Sequence, residues 1–405
     1  MTSNHPSLDD TTPHNSRPLL RIFVVLLFEL VGFGMAIPVL PFLAKDFGAD
    51  GLMVGLLFAL QATGQFAMAP AWGALSDRFG RKPVMIITLA AAAVASCFTA
   101  YTWSLLTLFI ARILSGMAAG NVSTASAYIT DVTDASSRSK GMALIGIAFG
   151  GGFVFGPAIG AVIADYGYEL TFQVAAGISL VNAFLAFAIL KEPRVRKPRL
   201  KRITSSVSSL LTRPPVRAML SISLMYAISV TIMEATFAYF AFDAFGWDVR
   251  TVGVVLAVLA LLMALVQGGG VSRLSRRLGD RHMTRLGLAL LGIGLAGAVL
   301  IDNVAWLISF LAISSIGRAF AHPGLMSMTS KTASEEEVGR VMGLFQSTNS
   351  LGRIFGPALG GAVYLWVDIR APFFMAGIIL IVTVILWVAL NPAVSREPDI
   401  APKPT

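Results

Sequence analysis

The chain has 405 residues, of which 56% are hydrophobic and only 13% charged, with mean hydropathy +0.75. Soluble domains carry about 25% charged residues, so a water-soluble enzyme is excluded; disorder and a collagen-like fibre fall with it, and one cysteine rules out a disulfide scaffold. The net charge of +9 is spread over short gaps between apolar runs rather than one continuous face, which speaks for membrane topology and against nucleic-acid binding.

The first 18 residues are polar, with Pro6, Pro13 and Pro18, and read as a tail (1–18). A spanning helix needs about 20 apolar residues. Such runs fall near 19–43, 52–75, 83–101, 104–128, 140–164 and 170–190. The first is too long for the core of a cleavable signal peptide, so none is expected. Cys97, within an apolar stretch, reads as a small packing residue rather than a redox group. A basic linker (191–217) follows, then runs near 218–242, 250–271, 283–301, 304–328, 338–364 and 371–391, and a second tail (392–405). The expected fold is all-α, with about twelve transmembrane helices: an N-terminal six-helix bundle (19–190) and a C-terminal one (218–391).

Loop cations set orientation. Alternate gaps hold Arg78, Arg81 and Lys82; Arg138 and Lys140; the linker; Arg273, Arg276, Arg277, Arg281 and Arg285; and Lys331 and Arg340. The other gaps hold only Lys45, Arg250 and Arg370. Both termini and the linker are therefore expected in the cytoplasm. The linker carries Lys191, Arg194, Arg196, Lys197, Arg199, Lys201, Arg202, Arg213 and Arg217 against the single acid Glu192. It reads as a topogenic segment on anionic lipid headgroups, with a regulatory site as the other reading.

The halves repeat at an offset near 200. Gly152, Gly156-Pro157 and Gly160 recur as Gly352, Gly356-Pro357 and Gly360, and Gly80 after Ser-Asp-Arg-Phe recurs as Gly279 after Ser-Arg-Arg-Leu. Two like bundles related by an axis along the membrane normal are a transporter architecture, with a substrate site near the midplane. Glycines four apart let backbones approach, and proline weakens a helix. Their duplication predicts hinges as well as packing.

Gly73-Ala-Leu-Ser-Asp77-Arg78-Phe-Gly80-Arg81-Lys82-Pro83 resembles the loop between helices 2 and 3 of the major facilitator superfamily. Arg112 with Gly116 resembles the intramembrane arginine motif of its drug:proton antiporters, and Gly152 through Gly160 their antiporter motif. Glu29-x-x-Gly32-x-Gly34-x-x-x-Pro38-x-x-Pro41 is similar to the tetracycline-efflux branch, which has aspartate at the position of Glu29; Gln65, five residues before Pro70, matches it too. That branch carries acids in helices 3 and 9, whereas none lies between Val84 and Trp103 or between Met283 and Ile301. The resemblance implies proton-coupled efflux of small amphipathic compounds from a bacterium, substrate unspecified.

Ionisable residues are rare inside membranes, because each costs about 2.5–3.5 kcal/mol at a helix centre on insertion scales. The spans keep Glu29, Arg112, Glu234, Arg318 and Arg353. Glu29, Arg112 and Glu234 are the candidates for proton coupling. The two glutamates read alternatively as static ion-pair partners of the arginines, and Glu234 also as the seat of a cationic substrate. Arg318 and Arg353 are assigned to the cavity on cost alone, with Gln61, Gln65 and Asn121. Asp77, with Gly73, Arg78, Gly80, Arg81 and Lys82, is expected to gate the cytoplasmic side by pairing with a base or capping a neighbouring helix N-terminus; a plain topology signal explains the cations but not the acid. His322 reads as a proton relay or a structural histidine. Phe33, Phe58, Tyr128, Phe237 and Tyr239 read as drug-stacking or packing residues.

No phosphate-binding loop, zinc cluster or nucleophile motif occurs; Gly150-Gly151-Gly152 and Gly268-Gly269-Gly270 fall in apolar runs. The expectation is a monomeric antiporter, not an enzyme, needing no metal, cofactor, nucleotide or nucleic acid. Its partners are a small molecule, protons and membrane lipid. A proton symporter importing a metabolite and a non-transporting receptor are the alternatives.

Overall fold

The computed structural model describes residues 17–133, 135–193, 207–334 and 337–390. The chain tails and residues 194–206 of the basic linker therefore lie outside the described residues. Helices follow one another as α1 (Arg17–Asp46), α2 (Gly51–Phe79), α3 (Arg81–Ala100), α4 (Leu105–Ala118), α5 (Asn121–Val132), α6 (Ala135–Ala164), α7 (Tyr168–Ile189), the short α8 (Val207–Leu211), α9 (Pro214–Phe245), α10 (Val249–Ala298), α11 (Val304–Lys331), α12 (Val338–Trp366) and α13 (Ala371–Leu390). No strand occurs among the described residues.

Ten helical stretches are long and apolar enough to cross a membrane. One of them is the 50-residue α10, which Gly279 at φ 74° divides into two spans. Helix α12 is long enough at 29 residues, but Arg340, Gln346, Asn349 and Arg353 dilute its apolar character. Counting both gives the twelve spans of a multi-pass membrane protein.

Several boundaries differ from the hydropathy reading, three of them instructively. The fourth span is two helices, α4 and α5, parted at Ala119–Gly120; a hydropathy window sees only the shared apolar run. Asp50 accepts from the backbone N–H of Met53 at 2.8 Å and starts α2, which then runs on to Phe79. Helix α9 begins at Pro214, four residues before the expected 218, because proline suits the first helical turn.

The duplicated glycines are packing surfaces. In α6, a Cβ on Gly156 would meet the Gly34 and Val31 backbone of α1, and one on Gly160 would meet that of Met35. In α12, Gly352 and Gly356 lie likewise on Ala227, Ile228 and Thr231 of α9, and the Thr231 hydroxyl donates to the Gly352 carbonyl at 2.9 Å. Both helices run unbroken through Pro157 and Pro357.

The halves meet through two matching pairs, α2 with α12 and α6 with α10. Gly55 sits on the Pro357 carbonyl, and Gly253 sits on the Pro157 carbonyl. These contacts lie toward the face opposite the basic loops. Further contacts seal that face: Lys45 pairs with Asp243 at 3.0 Å and lies 3.3 Å above the Phe242 ring, and Tyr364 donates to Asp243 at 2.7 Å. Tyr239 donates to the Ala49 carbonyl at 2.6 Å, and Arg250 pairs with Asp165 at 3.2 Å. Toward the basic face the same four helices part. A Cβ at Gly73, Gly146, Gly268 or Gly343 would meet nothing within 4 Å. These open positions, with the mid-helix Arg353 and His322 exposed, point to a cavity between the halves, closed at one end and open at the basic face.

Candidate functional site

Glu29 lies midway along α1, where its Oε1 accepts from the Asn121 side-chain amide at 2.6 Å. The break in the fourth span produces this contact, because it sets the buried Asn121 at the start of α5. Asn121 is held in turn by a short contact with the Thr88 hydroxyl. The other carboxylate oxygen, Oε2, is buried without a hydrogen-bond partner among the described residues. Among the described residues no arginine pairs with Glu29.

Arg112 is 3% exposed in α4. It donates to Thr99 at 2.6 Å and to Gln61 at 3.5 Å, and lies 5.6 Å over the Phe172 ring. Its motif companion Gly116 makes room for this: a Cβ there would strike the Gln61 backbone. Gln65, one turn along from Gln61, is half-buried.

The C-terminal half groups the remaining charges. Glu234 of α9 and Arg318 of α11 form a 2.7 Å ion pair. It is not an aligned hydrogen bond, for the paired oxygen of Glu234 has no hydrogen-bond partner. Tyr226 lies against Arg318, and Arg353 of α12 feels the field of both members of the pair. Arg353 and His322 are exposed although they sit mid-helix among these residues; they face the cavity. His322 is stacked loosely between Tyr226 and Phe345, with centroids 6.0 and 6.3 Å away.

Among the aromatics, Phe33 is open, 43% exposed, and packs edge-on against Phe153 at 6.5 Å. Tyr128 and Phe237, each 1% exposed, are core residues, and Tyr239 belongs to the sealed face. None of these three can stack on a ligand in this state.

At the basic face, Gly80 takes φ 103°, a conformation open to glycine, and so turns α2 into α3. The first N–H groups of α3, on Arg81 and Lys82, are capped by Glu192 at 2.6 and 2.8 Å. Of the two expected contacts of Asp77, the structure has the pairing with a base: Asp77 meets Arg81 at 2.5 Å and is 69% exposed. Its side chain lies one turn before the α3 terminus, and the cap comes instead from Glu192, 111 residues beyond Arg81. Arg81 also reaches Ser76 at 2.7 Å and Asp131, at the end of α5, at 2.8 Å. The second half has a counterpart of opposite sign. After the Gly279 turn, Asp280 accepts from Ser275, from Ser327 at 2.6 Å and from Lys331 at 2.9 Å. Replacing Glu192 with Ala is expected to lower stability by about 1 kcal/mol, the usual loss for a helix cap, read as a lower unfolding midpoint of the purified protein; Gln, which still accepts, recovers part.

Sequence reasoning missed Glu192, Asp131, Lys45, Asp243, Asp280 and Lys331. The one signal available was that Glu192 is the sole acid of a nine-cation linker. Arg78, Lys82 and Gly73 lie at the basic face without forming a contact between halves.

The family model of the Major Facilitator Superfamily matches residues 22–273 and 219–404. The chain belongs to that superfamily of transporters. It is 29% identical over 358 residues to a tetracycline resistance protein, class C, of Escherichia coli, covering 86% of this chain and 90% of the relative. It is equally identical over 379 residues to multidrug resistance protein 2 of Bacillus subtilis (strain 168), covering 89% and 93%. Among solved structures, the human organic anion transporter MFSD10 superposes with a TM-score of 0.71 at 23% identity, over 93% of this chain and 100% of that one. A bacterial homologue of the human lysosomal transporter Spinster, inward-facing and occupied, gives 0.76 at 15%, over 94% and 97%. At these identities the two structures speak for the fold alone.

Proposed function

We propose that this chain is a proton-coupled antiporter that exports small amphipathic compounds across the cytoplasmic membrane of a bacterium by alternating access. The observation that carries the reading is Glu29, a carboxyl inside a span, held by one amide, with its other oxygen unpartnered and no arginine paired to it. Such a group can take up and release a proton as the cavity changes sides. Two relatives named for tetracycline and multidrug resistance, matched over most of their length, support export as the direction.

In this reading the units that move are 19–190 and 218–391, joined by the linker 191–217, and no cofactor, metal or nucleotide takes part. Termini and linker are cytoplasmic, so the cavity described above opens inward. Asp77, unengaged by the second half in this state, latches the basic face when the halves close there. The seams at Gly152–Gly160 and Gly352–Gly360 hold α1 to α6 and α9 to α12 while each bundle rocks.

The test is a panel of amphipathic compounds assayed in proteoliposomes under an imposed pH gradient. Substrate added against the gradient is expected to drive protons the opposite way. Co-movement identifies a symporter, and no flux with any compound leaves a receptor. Reporter fusions after Arg202 and after Asp302 are expected on opposite sides of the membrane; the same side for both refutes the topology.

A further inference from the structure

Well inside the spans lie two carboxylates, Glu29 and Glu234, and three guanidiniums, Arg112, Arg318 and Arg353, unevenly distributed. In the C-terminal half Glu234 is committed to Arg318, which leaves Arg353 without an ion-pair or hydrogen-bond partner among the described residues, exposed to the cavity. Across the cavity, in the other half, stands an aromatic wall: Phe153 lies 6.0 Å from the Arg318 guanidinium, stacks on Phe149 at 6.4 Å, and meets Phe33 edge-on. An unpaired intramembrane cation is costly and marks a ligand or ion pathway. A guanidinium answers a carboxylate, sulfonate or phosphate with paired N–H donors, and an aromatic surface a few ångströms away takes an apolar body.

We propose that the cavity's substrate is an amphipathic organic anion, its acidic group on Arg353 beside Arg318 and its apolar body against Phe153, Phe149 and Phe33. This rests on the transport reading above and names the substrate class of that site. A cationic drug is disfavoured, because Glu234, the carboxylate grouped with these arginines, is already neutralised by Arg318, and binding there would strand a second guanidinium. His322, open to the same space and stacked near Tyr226, bounds the pocket on the α11 side.

The test uses the purified full-length protein in nanodiscs, with no gradient, and equilibrium dialysis against naphthoate, naphthalenesulfonate and naphthyl phosphate. Naphthylmethanol and naphthylmethylamine serve as the neutral and cationic partners. At least one anion is expected to bind about tenfold more tightly than the alcohol, the worth of one charge-assisted hydrogen bond. Arg353→Gln is expected to remove that preference while leaving alcohol binding in place, and Arg353→Lys to keep part of it. If no anion binds more tightly than the alcohol, if the amine binds best, or if folded Arg353→Gln retains the anion preference, the proposal is overturned. Retained alcohol binding and an unchanged unfolding midpoint establish that the variant is folded; should Gln misfold, Arg353→Lys and Phe153→Ala, the latter expected to weaken all three anions, decide the matter. Arg353-dependent anion binding without gradient-driven flux in proteoliposomes upholds this subsite and refutes the export reading. Gradient-driven flux with no anion preference does the reverse.

Discussion

Glu29→Gln is expected to abolish uphill export while sparing equilibrium binding. Glutamine keeps the length and still accepts from Asn121 through its carbonyl, so the 2.6 Å contact that positions the side chain survives. What is lost is the second oxygen's ability to carry a proton. Proton-driven uptake into inside-out vesicles, compared at equal protein, should fall to background. Binding measured without a gradient should persist and lose its dependence on pH. Glu29→Asp is shorter by one methylene, so it meets Asn121 less well and should retain part of the activity. Full concentrative uptake by Glu29→Gln would assign the proton elsewhere; Glu234, tied to Arg318 by an ion pair without hydrogen-bond geometry, is the next group to examine.

The second large effect is expected from a single methyl. A Cβ at Gly156 would stand 2.6 Å from the Gly34 Cα and 2.8 Å from the Val31 carbonyl oxygen. These are backbone atoms, which cannot rotate aside, so Gly156→Ala must prise α6 from α1. Overpacking of this kind costs about 1–3 kcal/mol, and here it also shifts the helix that carries Glu29. A lower unfolding midpoint together with impaired transport is the expected outcome. Gly150→Ala is the control six residues earlier on the same helix, where nothing lies within 4 Å. Helix propensity alone predicts it level or up to about 1 kcal/mol more stable. Equal effects at the two positions would refute a seam confined to the motif face.

The spans were legible because hydrocarbon imposes a strong, one-dimensional signal, and the intramembrane charges because so few sequences retain them. The duplicated Gly-Pro segments could be placed as a pair, but not their contacts. That Gly55 would rest on Pro357 and Gly253 on Pro157 depends on how one half meets the other. The closure at Lys45 and Asp243 joins residues 198 apart, and the Glu192 cap joins residues 111 apart. Hydropathy carries no register, so it cannot pair such groups. The break at Ala119–Gly120 was hidden for a related reason: its flanks are equally apolar, and only the buried Asn121 amide reveals why the chain pauses there.

The loop joints at the basic face bear on how such a duplicated protein diverges. In the first half a serine and two carboxylates, Asp77 and Asp131, grip Arg81; in the second, two serines and a lysine grip Asp280. Both joints follow a glycine turn, and the sign of the gripped group is inverted. The second joint is charge-balanced and the first carries one excess negative charge, so neither adds net positive charge to the basic face. Net positive charge at that face comes from the neighbouring cations outside the joints. Mechanical bracing and net charge are thereby separate variables, and mutation can alter either loop's charge without loosening the strut beneath it.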